Sequence, residues 1–342
     1  MRLDSANRSF VTMMTLAILL SAFVICGALG NVLMPLVLAR ASREPLDQLL
    51  SASVPLLPFL GAVGLSLALA ARSAINQALA SRRLARLVAA AECELPDWLD
   101  HAARIAGLGG RVVLLDSRER FSFAYGMLNP RVAVSRGLIQ GVSEAELEAV
   151  LEHEHYHVAN LDPLKIVLVR AVSAGLFFLP LIESLRARYL ATRELAADRR
   201  ALELCGRRPL LGALEKVIGG PELGELEVAA PLAGGVLHAR VSQLETGTEP
   251  MLARPDGASA AISLGGAVSL LGAFLFSVSS LGGQAAVHQV TGSGLGSVTV
   301  LGSLACMAPL VGLAILAYLL IAARANWPLG AVRPRSHPDV GG

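Results

Sequence analysis

The chain has 342 residues, of which 54% are hydrophobic and 16% are charged, and its mean hydropathy is +0.58. These values exclude an ordinary soluble domain and favour an integral membrane protein. The net charge of +2 gives no support for nucleic-acid binding. The four scattered cysteines, which show no CxxC spacing, predict neither disulfides nor a cysteine-based metal site.

Two apolar segments near the N-terminus are long enough to cross a bilayer. Residues 10–38 are almost uncharged, exceed the roughly 20 residues that a membrane helix needs, and are too long for a removable signal peptide. Residues 49–71 form the second predicted span. Four arginines follow it before the next acidic residue: Arg72, Arg82, Arg83 and Arg86. Such an excess of positive charge marks the cytoplasmic side, so we predict a two-helix membrane hairpin in residues 1–72.

The next stretch has the composition of a soluble domain. We predict helices at residues 81–92 and 96–106 and strands at 111–116 and 131–135. A further strand before the turn at Asn129-Pro130 contains Ser122, Phe123, Ala124 and Tyr125. An edge strand beside a metal-binding helix can hold an extended peptide substrate by backbone pairing. The alternative is a hairpin with a purely structural role.

An HExxH pattern lies at His153, Glu154 and His157, within a predicted helix over residues 143–162. Ser143 and Glu146 form a capping box at its start. The two histidines are one turn apart and therefore share a face. Zinc binds nitrogen ligands in a tetrahedral shell and, in catalytic sites, keeps one position for water. Glu154, beside the ligands, could take the proton from that water.

A third ligand is needed, because HExxH alone also occurs in proteins that bind no metal. Glu194 and Asp198 are four residues apart on another predicted helix. Glu194 would complete a His, His, Glu set, and Asp198 would accept the second ring N–H of a ligand histidine. The alternative is that both acids form ordinary salt bridges with nearby arginines. Helix geometry points His155 away from the metal.

The apolar segment 164–183 decides the topology. If it crossed the membrane fully, Glu194 would lie on the opposite side from the two histidines and could not share an ion with them. We therefore predict that it re-enters, lies in the interface or forms a short hairpin. The zinc site should then lie close to the cytoplasmic membrane surface, in a metallopeptidase domain spanning residues 73–257.

Two residues further along the chain could assist the reaction. His238 could donate a hydrogen bond to the oxyanion of a tetrahedral intermediate, and Arg240 is an alternative donor. The alternative for a lone histidine is a structural role.

The C-terminal part predicts a second membrane hairpin in residues 258–323. Its spans are 259–281 and 299–323, and the loop between them contains no Lys or Arg, which places it outside. The tail, 324–342, is then cytoplasmic. The predicted fold is a mainly α integral membrane protein with four transmembrane helices and a cytoplasmic α+β domain.

Three blocks of sequence resemble the membrane metallopeptidases of the BlaR/MecR antibiotic-sensor family. They are GMLNPRVAVSRGL, SEAELEAVLEHEHYHVANLDPLK and RELAADRRALE, in that order within residues 118–245. The family has a similar strand with a Pro-Arg pair, an HExxH soon followed by Asp-Pro, and an ExxxD helix. The HtpX and CAAX-endopeptidase family is more distantly similar.

The resemblance implies a gluzincin-like domain in which His153, His157 and Glu194 bind one zinc ion, Glu154 is the catalytic base and Asp198 orients a ligand. It also implies proteolysis of a cytoplasmic protein, commonly a winged-helix repressor of the BlaI/MecI type. The implied location is the inner membrane of a bacterium, with the active site facing the cytoplasm.

One departure concerns sensing. BlaR/MecR sensors carry an extracellular penicillin-binding domain after the last span, and neither that domain nor an SxxK motif with a following domain is present after Ala323. We therefore do not expect beta-lactam sensing.

The resulting prediction is a zinc-dependent membrane endopeptidase that signals by cleaving a repressor. Membrane lipid and a second copy of the chain are further candidate partners. The alternatives are a maturation or quality-control protease for membrane proteins, and a non-catalytic signalling scaffold with a structural zinc site. A structural site would need a fourth protein ligand, usually Cys or His, and neither Cys93 nor Cys205 lies at ligand spacing.

Overall fold

The computed structural model describes residues 6–22, 57–218, 234–248, 250, 252 and 257–266. Its helices are 6–22 (α1), Leu57–Ala91 (α2), Asp97–Ile105 (α3), Arg136–Gly141 (α4), Glu144–Ala159 (α5), Asp162–Gly175 (α6), Pro180–Cys205 (α7), Arg207–Ile218 (α8), Gly234–Thr246 (α9) and 257–266 (α10). Its strands are Glu92–Cys93 (β1), Val112–Leu115 (β2), Ser122–Tyr125 (β3) and Arg131–Ser135 (β4).

The strands form one mixed sheet in the order β1-β2-β4-β3. β2 runs parallel to β4, whereas β1 and β3 run antiparallel to their neighbours. Within the described part of the chain, β3 is therefore an edge strand. Its register with β4 pairs Ser122 with Val134 and Tyr125 with Arg131.

The sheet is a buried layer between helices, and the alternation of side chains along β2 shows why. Val112 and Leu114 pack into the core formed with α3, α4 and α5. Val113 and Leu115 point the other way and pack on Leu84 of α2. Successive side chains of a strand face opposite sides, so a strand covered on both faces is apolar at every position. All four residues of β2 are buried.

Helix α5 begins where the capping box predicts. The hydroxyl of Ser143 accepts from the backbone N–H of Glu146, and the Glu146 carboxylate accepts from the backbone N–H of Ser143. Leu147 and Leu151 anchor its inner face in the core. The helix ends at Ala159, and the chain turns at Leu161, whose left-handed backbone (φ 55, ψ 39) separates α5 from α6.

Helices α6 and α7 form an antiparallel hairpin joined by residues 176–179. Segment 164–183 thus comprises most of α6, the connector and the start of α7, and its placement relative to a membrane stays a prediction. The inner face of the hairpin packs on Phe10 and Met13 of α1 through Val169 and Ile182. Because α7 returns towards the sheet, its middle lies next to α5.

The membrane predictions meet the structure only in part. Helix α2 is continuous from Leu57 to Ala91, so the predicted break between a span ending at residue 71 and a helix starting at 81 is wrong. Among the described residues, no helix combines the length and apolarity needed to cross a membrane. Of the predicted spans, 299–323 lies outside the described residues, 10–38 and 259–281 are described only over 10–22 and 259–266, and 49–71 is described from residue 57 onwards. The four-span topology therefore stays a prediction.

Candidate metal centre

Helices α5 and α7 bring two histidines and one carboxylate together. Nε2 of His153 lies 3.2 Å from Nε2 of His157. The Glu194 oxygens lie 3.6 Å from Nε2 of His153 and 3.8 Å from Nε2 of His157. These three residues are the group, among those described, whose ligand atoms could hold a metal ion. The three residues therefore lie together, which the prediction that segment 164–183 does not cross the membrane requires.

The spacing of this cluster fits tetrahedral zinc. Ligand bonds of about 2.0–2.1 Å at the tetrahedral angle put neighbouring ligand atoms about 3.3 Å apart. The separation between the two histidines is close to that value, and the two Glu194 distances, which involve different carboxylate oxygens, are longer. His157 and Glu194 are buried, and His153 is nearly so. The residues present therefore fit zinc without a change of backbone, although other divalent metals accept the same donor set.

Glu154, next to His153 in the chain, has the burial and hydrogen bonding expected of a general base. Its side chain is 5% exposed, and the Ser122 hydroxyl donates to its Oε1 at 2.8 Å. Its Oε2 is buried without a hydrogen-bond partner. Buried polar atoms are normally satisfied, so an unpaired carboxylate oxygen next to a metal-type cluster indicates a place for a water molecule or a substrate group.

Asp162 fixes the orientation of His157. The Nδ1–H of His157 donates to Oδ2 of Asp162 at 2.6 Å, and the Tyr189 hydroxyl lies 3.3 Å from Oδ1. The turn at Leu161 brings this aspartate back under the helix that carries the histidine. A carboxylate on Nδ1 leaves Nε2 free to bind a metal. From sequence alone, Asp162 was predicted only to end the helix that carries the histidines. The sequence feature that could have identified this role is the position of Asp162, just over one helical turn after His157.

Asp198 takes the matching place beside His153. Its Oδ1 lies 2.9 Å from Nδ1 of His153, although off the ideal direction of the ring N–H. Arg240 of α9 holds this carboxylate with two hydrogen bonds, from Nε at 2.6 Å and from Nη2 at 2.8 Å. Asp198 is completely buried. A two-point arginine contact is the arrangement that best stabilises such a charge.

Charge in this cluster is balanced by buried cations. Burial by itself would raise the pKa of Glu194, but Arg193 next to it, with the two histidines and Arg240, holds that pKa well below its usual range. Burial would likewise raise the pKa of Asp198, and Arg240 lowers it to about 2. Both carboxylates are therefore ionised at neutral pH, as metal ligation and ligand orientation require.

The metal-free cluster binds a proton tightly at His153. Burial would lower the pKa of His153, but the carboxylates of Asp198 and Glu194 outweigh that effect and raise the pKa to about 9. A site that attracts a proton this strongly is also poised to attract a cation. Zinc must displace that proton, because only a neutral imidazole is a ligand.

The strand predicted to bind substrate is the edge strand next to α5. The backbone N–H of Ser135 donates to the carbonyl of Phe121, which makes this pair hydrogen-bonded. Hydrogen-bonded and non-bonded pairs alternate in an antiparallel ladder. Ser122 and Ala124 therefore direct their backbone N–H and C=O groups to the open edge. The side chains of Phe123 and Tyr125 pack towards α2.

His238 and Arg240 are separated by the geometry of α9. His238 is exposed, whereas Arg240 is 7% exposed and contacts Asp198. Two residues on a helix are about 200° apart around its axis, so the two side chains point in opposite directions. The exposed position of His238 lends no support to a role as oxyanion donor, and that role stays a prediction. Arg240, the alternative, reaches the cluster, but its guanidinium is bound to Asp198.

The alternative interpretation of the acids as plain salt bridges accounts for part of their contacts. Arg193 does pair with Glu194, and Arg200 pairs with Glu152 on α5 at 3.0 Å. His155 points away from the cluster as expected, with its Nδ1 3.1 Å from Arg200. The ion pairs thus surround the cluster and do not replace it.

Comparison with known proteins shows similarity to metallopeptidases. Residues 90–188 match the family model "Peptidase family M48". The chain is 29% identical over 184 residues to Protease HtpX of Shewanella halifaxensis, covering 40% of this chain and 64% of that protein. It is 41% identical over 83 residues to a Protease HtpX homolog of Desulfotalea psychrophila, covering 22% and 29%. Protease HtpX of Shewanella oneidensis is 30% identical over 172 residues, covering 36% and 60%.

The match covers less than two thirds of the length of these relatives. It agrees with the prediction of a metallopeptidase and includes the helix that carries both histidines. None of these relatives is a BlaR/MecR sensor, so the narrower assignment is not confirmed. The comparisons thus relate residues 90–188, which carry both histidines, to the M48 metallopeptidases, and the relatives found are named Protease HtpX.

Proposed function

We propose that the chain is a zinc-dependent endopeptidase with its active site at the cluster on α5 and α7. The observation that carries the proposal is the approach of His153, His157 and Glu194 beside a buried glutamate with one unpaired oxygen. The similarity of residues 90–188 to peptidase family M48 supports it independently.

The residues divide the chemistry between them. His153 and His157 would hold zinc through Nε2, and Glu194 would hold it through its carboxylate. Zinc, when bound, supplies a Lewis acid that polarises the scissile carbonyl and acidifies water. Glu154 takes a proton from the attacking water at Oε2 and later delivers it to the leaving amine. Asp162 and Asp198 keep the two imidazoles in the tautomer and orientation that ligation needs.

The edge strand β3 orients the peptide. Ser122 and Ala124 offer backbone groups to an extended segment, which would add to the sheet as a further strand. The Ser122 side chain contacts Glu154, so a peptide paired along this edge would pass beside the base. Backbone pairing of this kind recognises an extended or unfolded conformation of the substrate and does not depend on a particular side chain.

A structural role for the metal is the weaker alternative. Structural zinc sites close their shell with four protein ligands, whereas catalytic sites leave one position open. The metal-type group found among the described residues has three members, and neither Cys93 nor Cys205 belongs to it. Three protein ligands among the described residues match the number typical of catalytic zinc sites, which supports catalysis over a scaffold.

The substrate is proposed to be a protein close to a membrane. Support comes from the apolar composition of the chain and from the exposed side chains of Phe177 and Phe178 at the tip of the α6–α7 hairpin. The relatives named Protease HtpX favour a protease of that kind. Cleavage of a BlaI/MecI-type repressor rests only on the resemblance described above, and no relative supports it.

Substitution of the base tests the proposal. Glu154→Gln keeps the size of the side chain but removes its ability to accept a proton, so cleavage should fall by about 10²–10⁴-fold while zinc stays bound. Proteomic comparison of new protein N-termini in cells that express either form would identify substrates. Glu183→Gln, an exposed change on α7, is the control.

A second substitution separates binding from chemistry. Glu194→Ala should lower the zinc content of the purified protein. Undiminished zinc would assign the third ligand elsewhere, and undiminished cleavage by Glu154→Gln would remove Glu154 from the mechanism.

A further inference from the structure

The base and the substrate-binding edge meet at one residue. Ser122 is the first residue of β3, and its hydroxyl is bonded to Glu154, which lies 32 positions further along the chain. The contact links the open edge of the sheet directly to the helix that carries the metal ligands. No element of the reaction assigned above uses this hydroxyl.

The contact distinguishes the two oxygens of Glu154. Oε1 accepts from Ser122, while Oε2 is buried and unpaired. The terminal torsion of a glutamate side chain is broad and roughly two-fold, so packing alone does not select which oxygen faces the metal. A hydrogen bond to one oxygen does select it. The unpaired oxygen is then the one presented to a proton.

We propose that Ser122 is a positioning residue that holds Glu154 with Oε2 directed at the reacting water. The same residue directs its backbone N–H and C=O to the open edge of β3. A peptide that pairs with this edge therefore orders the strand from which the serine donates. Peptide binding and base orientation are coupled through one residue. The inference rests on the proposed function and adds a role for this side chain.

The alternative is that the hydroxyl merely satisfies a buried carboxylate. A structural role of that kind predicts a loss of stability or of bound zinc when the hydroxyl is removed. A positioning role predicts a loss of turnover with both properties kept. Ser122→Ala separates them, because it removes one oxygen atom and leaves the backbone of β3 able to pair.

The experiment measures kcat, KM, zinc content and melting temperature for the full chain. Ser122→Ala should lower kcat by about 10–100-fold, the range for a hydrogen bond to a charged group, with KM changed less than about twofold in that comparison. Zinc content and the melting temperature of the metal-free protein should not change. Ser122→Thr, which keeps the hydroxyl and suits a strand, should restore most of the rate. Ser117→Ala, in the loop before β3, is the matched serine control.

Affinity for a peptidyl hydroxamate, measured by calorimetry, gives a readout that needs no turnover. The hydroxamate proton is shared with the base, so Ser122→Ala should weaken binding by about tenfold, the loss of one such hydrogen bond. An unchanged kcat and unchanged hydroxamate affinity would overturn the inference, as would a loss of zinc or of stability. A change in KM without a change in kcat would also overturn the inference. If the wild type bound zinc and hydroxamate but cleaved no protein, the proposed function would fail, and the hydroxamate result would still judge Ser122.

Discussion

At the scale of single residues, the centre consists of a metal-type triad and the side chains that hold it. Asp162 and Asp198 each meet one histidine on its Nδ1 side, so both Nε2 atoms turn inwards to the same point. Glu194 reaches that point from the other helix. The buried arginines Arg193 and Arg240 keep the carboxylates of Glu194 and Asp198 ionised where isolated charges would be costly.

Zinc affinity should depend steeply on pH. Without metal, His153 holds a proton up to a pKa of about 9, and zinc must displace it. Raising the pH therefore favours zinc, and the apparent affinity should increase about tenfold per pH unit below that pKa. Chelator competition between pH 6 and pH 9 measures this slope. Asp198→Asn, which removes a charge that raises the pKa, should move the plateau to lower pH, and a flat profile would contradict the prediction.

Asp162 should matter for metal affinity more than for folding. Asp162→Asn keeps the shape but weakens the partner of His157 Nδ1, so zinc affinity should fall by about 10–100-fold. The metal-free protein should lose at most about 1 kcal/mol, the value of an acid in the first turn of a helix. Chelator competition and thermal unfolding measure the two effects. Equal affinity in mutant and wild type would mean that Asp162 has no part in ligation.

At the scale of elements, α9 packs on α7, the helix that carries Glu194. Its only described link to the ligand triad runs through Arg240, which contacts Asp198 and lies 3.6 Å from Glu194. Gln243 adds a hydrogen bond to the carbonyl of Leu195, which ties α9 to α7. The position of α9 therefore affects the orientation of His153 even though this helix carries no ligand.

Two substitutions on α9 should behave very differently. Arg240→Met leaves the completely buried Asp198 without its partner, and breaking a buried pair in this way costs about 3–5 kcal/mol. His238→Ala changes an exposed side chain and should alter stability by less than about 0.5 kcal/mol. Thermal unfolding of both metal-free variants, with zinc content, makes the comparison. A larger loss of stability or of zinc in His238→Ala would indicate that His238 contributes to the site.

The secondary structure around the site was largely predictable from sequence. The capping box at Ser143, the apolar periodicity of α5 and the apolar run of β2 are local signals, and the structure agrees with each. The continuous course of α2 was not predictable, because arginines after residue 71 suggested a boundary. Helix propensity and packing on α6 carry the helix through that point.

At the scale of the whole molecule, the helices that flank the predicted spans meet at the tip of the α6–α7 hairpin. The Ser66 hydroxyl of α2 contacts the carbonyl of Gly175, and Ser263 of α10 accepts from the backbone N–H of Leu181. α1 packs on the same hairpin through Ala17 and Leu179. The described helices that overlap three of the four predicted spans thus converge near Phe177, which is exposed.

This convergence predicts that the hairpin tip contacts lipid. A single cysteine at Phe177→Cys, in a variant without its other cysteines and labelled with an environment-sensitive fluorophore, should show a blue-shifted emission when the full chain is reconstituted in vesicles. Leu128→Cys is the control, because Leu128 is 82% exposed in the turn between β3 and β4, away from the hairpin. The same emission from both positions would contradict the prediction.

The sequence by itself determined which residues could serve as metal ligands. His153 and His157 lie one helical turn apart, Glu154 is their neighbour, and Glu194 and Asp198 repeat that spacing, because a helix places residues four apart on one face whatever surrounds it. Only the tertiary structure decided which distant groups support them: Asp162 through the turn at Leu161, Arg240 in preference to His238, and Ser122 at the sheet edge. Those contacts join residues far apart in the chain, and their geometry depends on how helices and sheet pack, which local spacing does not specify.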